Sequence, residues 1–278
     1  MDKNPLIVKS NALIEASYQL NLNEQRLILA CISKIRRDEA VTDQIMYSIS
    51  AAEFSKICET DIKTAYRDLE AAALSLKRRE LQIIEKPNGE GRHEEKLIVN
   101  WVQSVKYVEG KGIVRLRFNH DMLPYLSELN KSFTSYKLKN VVRMSSSYGV
   151  RFYELIIQWK NLKEREVSID WLREILQLNG KYVAIKDFKK YVLEPGMKDI
   201  NKNSDLWAKW EQKKEGRKVT HLKFKFGFKE QRKPKSPQSE IKIYGIQKSI
   251  IEKHAKPGEG YKEAALRIKK LKRAPEKY

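Results

Sequence analysis

Cysteine is nearly absent from this 278-residue chain, and neither Cys31 nor Cys58 has a second cysteine or a histidine at metal-ligand spacing. Both fall on apolar faces of predicted helices. They read as buried thiols in a reducing compartment, and no disulfide, structural metal or cofactor is expected. Histidine is scarce too: His93, His120, His221 and His254 are scattered, so the His-hydrophobe-His clamp of a rolling-circle nickase cannot form. No Gly-x-x-x-x-Gly-Lys-Ser/Thr stretch is present to cradle a triphosphate, and Gly110-Lys111-Gly112 has the spacing of a turn. No apolar run approaches the roughly 18 to 20 residues that cross a bilayer, and Met1 to Ser10 lacks a signal-peptide core. A cytoplasmic protein with no membrane partner is the expectation.

Catalytic groupings are missing in the same way. Glu94 and Glu95 are neighbours on a predicted strand and point to opposite faces, so they cannot share a metal. Ser145 to Ser147 reads as a turn ahead of a helix starting near Gly149. Tyr125, Tyr136 and Tyr153 have no metal clamp around them. The expectation is a protein that is not an enzyme.

What the chain has is positive charge. Lys and Arg number 56 against 36 Asp and Glu, a net +20. Residues 1–180 carry 28 basic against 24 acidic residues, whereas residues 181–278 carry 28 against 12. Such a field attracts polyanions and gains from counterion release when phosphates are neutralised. An anionic membrane is the competing partner, but no amphipathic segment offers a broad apolar side without a core to join. Double-stranded DNA is the favoured partner.

The hydropathy pattern repeats one layout twice: a long apolar helix, a short strand, a small helix, a helix with a basic face, and a hairpin. In the first copy Leu27, Ile28, Cys31, Ile32 and Ile35 recur at helical spacing, Ile45 to Ile49 reads as a strand, and Ser50 to Glu53 as a capping box. After Thr60, the stripe Ile62, Tyr66, Leu69, Ala73 and Leu76 leaves Lys63, Arg67 and the run Lys77, Arg78, Arg79 outside it. Helix-dipole capping competes with DNA contact for that terminal run. Leu81 to Lys86 and Lys96 to Val108 are the predicted hairpin arms around a Pro87-Asn88-Gly89 turn. Arg115 and Arg117 alternate with apolar residues on an ordinary solvated strand face.

The second copy starts near Tyr148. Glu166 to Ile169 supplies the short strand, Asp170 is the expected N-cap, and Leu172, Ile175 and Leu176 mark the small helix. Asn179-Gly180 is a turn, after which Ile185, Phe188 and Val192 stripe a helix that leaves Lys186, Lys189 and Lys190 outside. Pro195-Gly196 predicts a kink or division near Glu194, with Met197 to Asn203 as a separate turn. In the closing strand Thr220, Leu222, Phe224, Phe226 and Phe228 face one side, and His221, Lys223, Lys225 and Lys229 the other. Of Trp207 and Trp210 on the hairpin, one is expected on the core. Beyond it, 232–237 has a linker's composition, Ile243, Ile246, Ile250 and Ile251 have helical spacing, Pro257-Gly258 is a break, and Ala264 to Lys272 suggests a basic helix. The fold class is therefore α+β: two tandem winged helices over residues 1–130 and 131–229, with a basic tail over 230–278.

With both units laid out, the chain resembles the iteron-binding plasmid replication initiator (Rep) family over about residues 6–229. The likeness rests on Val8-Lys9-Ser10-Asn11, Leu13-Ile14-Glu15-Ala16 and Leu22-Asn23-Glu24-Gln25-Arg26-Leu27 near the start, and on Phe133-Thr134-Ser135-Tyr136 and Ser147 to Leu155 mid-chain. Further on it rests on Asp187-Phe188-Lys189-Lys190 and on Gly216 to Leu222. The resemblance implies binding of direct repeats through both winged helices, help in melting adjacent DNA, and recruitment of the host replicative helicase and initiator proteins. It also implies a homodimer, in equilibrium with monomer, that binds an inverted repeat and represses its own gene. The second recognition helix would be the main reader, which carries onto Lys186, Lys189 and Lys190, with Lys214, Arg217, Lys218 and His221 on the wing. The first unit would add the dimer contact and a second DNA contact through Lys63, Arg67, Lys77 and Arg78. Lys189 and Lys190 stand where the family favours arginine, and lysine lacks arginine's two-pronged fit to guanine, so they read as phosphate contacts. The alternative is a dimeric winged-helix transcriptional repressor without initiator activity.

Overall fold

A computed structural model describes residues 5–36, 41–89, 92–108, 110–127, 129–229, 242–255 and 259–271. The side chains of Glu94 and Glu95, the 232–237 segment and Pro257-Gly258 lie outside what is described. The chain divides into two compact units, Met1–Lys229 and Glu230–Tyr278.

The larger unit begins with β1 (Leu6–Ser10), α1 (Asn11–Ile14), the short β2 (Ser17–Tyr18) and α2 (Leu22–Ile32). α2 starts in a reciprocal capping box: Asn21 Oδ1 accepts from the Glu24 amide at 2.9 Å while Glu24 accepts from the Asn21 amide at 2.7 Å. β3 (Tyr47–Ser50) leads into α3 (Ala51–Cys58) and α4 (Ile62–Leu76). The box predicted at Ser50 forms by half. Ser50 Oγ accepts from the Glu53 amide at 3.1 Å, but the Glu53 carboxylate takes Lys34 at 2.8 Å, a stronger, charged donor.

The first wing is shorter than the sequence suggested. β4 (Glu80–Glu85) pairs with β5 (Arg92–Asn100), and the predicted second arm ends there. Trp101, fully buried against Tyr18, forms the corner at which the chain leaves one sheet for another. β6 (Val102–Val108) then pairs with β7 (Ile113–Phe118), which also pairs with β3. Two three-stranded sheets result, in the orders β2-β4-β5 and β3-β7-β6. A 3₁₀ turn (His120–Tyr125) leads to β8 (Phe133–Lys137), which runs antiparallel to β1.

α5 (Lys139–Val142) and α6 (Ser147–Ile157) come next, followed by β9 (Glu164–Ser168) and α7 (Ile169–Ile175). Ser168, not Asp170, caps α7, its hydroxyl accepting from the Trp171 amide at 3.1 Å; Asp170 lies in the first turn. The next helix is continuous from 185 to 203. It runs as α8 (Ile185–Phe188), a π turn (Lys189–Leu193) and α9 (Glu194–Asn203). Where a kink or division was expected near Glu194, the helix is not divided but carries a π turn that ends there. Proline lacks an amide and its ring would strike the carbonyl four residues back in a regular helix; the wider turn, in which the Glu194 amide reaches Lys189 O, takes up the misfit. Gly196 is needed by space, since a Cβ there would stand 2.5 Å from Phe152 Cδ2. β10 (Leu206–Glu215) and β11 (Lys218–Phe228) form the second wing, with β9 completing the sheet β10-β11-β9. Leu222, Phe224 and Phe226 are buried, and Phe224 packs on Phe152 of α6.

A buried ionic cluster ties β1 and β8 to α6. The Lys9 ammonium donates to Glu154 Oε1 at 2.6 Å, and the hydroxyls of Tyr136 and Tyr18 donate to the same carboxylate. Arg151 donates to the carbonyls of Ile14 and Ala16 at 2.9 and 2.8 Å and lies 3.7 Å over the Tyr18 ring. Burial pushes the Glu154 carboxyl up, but Lys9, Arg151 and the Tyr136 hydroxyl more than offset this and hold it below its usual range. Both cysteines are buried and free, and burial pushes the Cys58 thiol up to about 11.

The smaller unit has its own apolar cluster of Ile246, Ile251, Ala264, Ala265 and Ile268. A hairpin of β12 (Lys242–Ile243) and β13 (Ile246–Gln247) precedes α10 (Lys248–His254) and α11 (Tyr261–Leu271). Ile243 and Ile246, expected on a helix, are strand residues, because Tyr244 and Gly245 both take positive φ and turn the chain back between them.

Candidate nucleic-acid interface

The first recognition helix, α4, owes its form to sequence alone. Asp61 caps it, accepting from the Thr64 amide at 2.9 Å, and Ala65, Leu69, Ala72, Ala73 and Leu76 form its buried stripe. Lys63, Arg67, Lys77 and Arg78 are all exposed. Arg67 leans on Asp68 at 3.2 Å, a surface pair of little energetic weight. Arg79 differs from its two neighbours: it donates to the buried Glu24 at 2.8 Å and so fastens the end of α4 to the start of α2.

On the second recognition helix Lys186 and Lys190 are exposed, while Phe188, Val192 and Leu193 face inward. Lys189 is directed differently. Its ammonium donates to Gln212 and lies 5.6 Å from the Trp210 ring, tying the π turn to the wing. Trp210 packs partly on the core and Trp207 is exposed. Asp199 anchors the far end: its carboxylate accepts from the Ser145 and Ser146 amides at 2.9 and 2.6 Å and from Asn203 at 3.0 Å.

The second wing carries Lys214, Arg217 and Lys218 exposed around its tip, where Gly216 takes φ +59°. His221 is half-buried, with Nδ1 3.0 Å from Thr220 Oγ1 and 3.8 Å from Glu215. Three further lysines of this sheet are less available than their exposed positions imply. Lys213 pairs with Glu166 at 2.8 Å, Lys223 with Glu164 at 3.0 Å and Lys225 with Glu211 at 3.1 Å. Lys229 donates to the carbonyls of Asn201 and Ser204. The hydrogen bond from Lys213 holds Glu166 below its usual range and raises Lys213 in return.

A polar cleft of about 640 Å³ lies between the end of α4 and the turn after α7, lined in part by Arg78, Arg79, Gln82, Arg173 and Asn179. Sequence reasoning passed over Arg173, which sits on the small helix and donates to the carbonyls of Tyr182 and Val183. It also passed over the exposed Val183 and Tyr191. Their signal was present: both are large apolar residues off the Ile185, Phe188, Val192 stripe. Among the described residues, no three His, Cys, Asp or Glu side chains are placed to hold a metal ion, and no helix is long and apolar enough to cross a membrane.

Two family models match the chain in tandem. Residues 6–157 match the family described as "Initiator Replication protein, WH1", and residues 168–226 match "Initiator Rep protein, WH2". A "Replication initiation protein" of Escherichia coli is 27% identical over 208 residues, covering 72% of this chain and 63% of that one. The "PI protein" of Escherichia coli is 26% identical over 255 residues, covering 81% of this chain and 84% of its own. The crystal structure of the Pi initiator protein in complex with iteron DNA superposes with a TM-score of 0.67 at 25% identity, covering 83% of this chain and all of that one.

Proposed function

Since this chain belongs to the initiator replication protein family, with both of its winged helices, we propose that it binds tandem direct repeats at a plasmid origin and starts replication there. The observation that carries this reading is the distribution of cations. Lys63, Arg67, Lys77 and Arg78 on the first winged helix, and Lys186, Lys190, Lys214, Arg217 and Lys218 on the second, are exposed, whereas Lys213, Lys223 and Lys225 on the second sheet are each paired with a glutamate. The likeness to a protein whose structure holds iteron DNA supports it.

In this reading α8 and α9 enter a major groove with the second wing on the adjoining backbone, and α4 makes a second contact along the same duplex. Lys189 acts through the wing it holds, and His221 sits at the wing's base. Melting of adjacent DNA, recruitment of the host helicase and initiator proteins, and repression of its own gene by a dimer belong to the same proposal, as does the division of the larger unit into winged helices at 1–130 and 131–229. A footprint of the full chain on the DNA flanking its own gene tests it. Evenly spaced protected repeats, each about two turns of roughly 10.5 base pairs, support an origin binder; one protected palindrome over the promoter leaves a repressor only.

A further inference from the structure

The segment ahead of α8 is built more elaborately than a helix start requires. Tyr182 holds φ +56°, a left-handed conformation that bulky residues seldom enter. Arg173 and Tyr191 hold it there. Arg173 donates to the Tyr182 and Val183 carbonyls at 3.1 and 2.7 Å. The Tyr182 ring stacks on Tyr191 with centroids 5.5 Å apart and planes 28° from parallel. The Lys190 ammonium lies 4.9 Å from the Tyr191 ring. The result is that Val183, 68% exposed, and Tyr191, 47% exposed, stand in solvent at the front of the recognition helix. Strained backbone persists where the surroundings over-determine it, and such places concentrate at functional sites.

Apolar side chains gain nothing from water, and on the base edges of the major groove the one apolar group is the 5-methyl of thymine. Lys186 and Lys190 beside them are mobile point charges suited to phosphate and poor at discriminating bases. We propose that Val183 and Tyr191 are specificity-determining residues that read thymine methyl groups, with Arg173 and Tyr182 as positioning residues. This rests on the reading of α8 and α9 as the groove-facing helix.

The test uses the full chain and one footprinted repeat, synthesised with deoxyuridine in place of thymidine at each T·A pair in turn. Deoxyuridine keeps every hydrogen-bonding group and removes only the methyl. At one or two positions the wild type should lose about fourfold in affinity, as burial of a single methyl predicts. Val183→Ala should bind the thymine repeat correspondingly less well, be indifferent to uracil at one of those positions, and keep the wild-type salt slope. Tyr191→Phe, which retains the stack, should behave as wild type, and Tyr191→Ala should not. Wild-type affinity unaffected by uracil at every position overturns the proposal, as does a Val183→Ala variant still as sensitive as the wild type. A wild type that protects no DNA at all instead removes the DNA-binding reading beneath it, so the two failures are distinct.

Discussion

α4 and the 185–203 helix hold their shape by opposite means. α4 is a regular helix of 15 residues whose N-cap, apolar stripe and cationic outer face all lie within its own sequence. The 185–203 helix has no side-chain cap, contains a π turn and a Pro-Gly pair, and follows a residue with left-handed backbone. Its shape is imposed by other elements: Phe152 of α6 against Gly196, the α5–α6 turn on Asp199, Arg173 of α7 on the approach, and Gln212 of the wing on Lys189. A helix held from within tolerates changes in its surroundings. One held from outside is only as well placed as its neighbours.

The severest break is at the buried cluster that ties β1 and β8 to α6, since α6 carries Phe152 against Gly196. Glu154→Ala leaves Lys9 buried without its carboxylate and should cost about 3–5 kcal/mol of stability in chemical denaturation. Because that carboxyl sits below its ordinary pKa of 4.5 in the folded chain, its contribution is complete above about pH 4.5 and is lost as the pH falls through the lower folded value. Glu154→Gln should therefore flatten that part of the acid denaturation curve.

Asp199→Ala should cost about 2–3 kcal/mol, since it strands two backbone amides, and should weaken repeat binding more than Glu24→Gln at equal stability. Gly196→Ala, forced against Phe152, should cost about 1–3 kcal/mol. The matching change in the self-held helix is smaller: Asp61→Ala removes only an exposed cap, should lower the melting temperature less than either, and should leave binding through the 185–203 helix untouched. Smallest in stability, and sharpest on the interface, are the charges. Lys186→Ala and Lys190→Ala should each lower the salt slope of DNA binding by about one unit with no change in melting temperature. Arg79→Ala should do the reverse, because its guanidinium serves Glu24.

Much of this arrangement was legible in the chain. The first helix-helix-wing series, the alternation of Leu222, Phe224 and Phe226, and the off-stripe lysines follow from period and polarity, which are local properties. What local reading misplaced was decided by contacts distant in sequence. Nothing near Val102 shows that β6 leaves the wing; Trp101 decides it by burying itself against Tyr18. The Pro195-Gly196 pair reads as a break until Phe152, more than forty residues earlier, is seen to require the glycine. The strand lysines Lys213, Lys223 and Lys225 look free for DNA because their glutamate partners come from other strands.

The pairing of Leu6–Ser10 with Phe133–Lys137, completed by Lys9 on Glu154, sets a timetable for folding on the ribosome. The Lys9 ammonium has no Glu154 carboxylate until some 145 further residues have been added, an interval of roughly 7 to 30 s at ordinary elongation rates. β1 therefore reaches its final state, with its buried cation matched, only when α6 is in place.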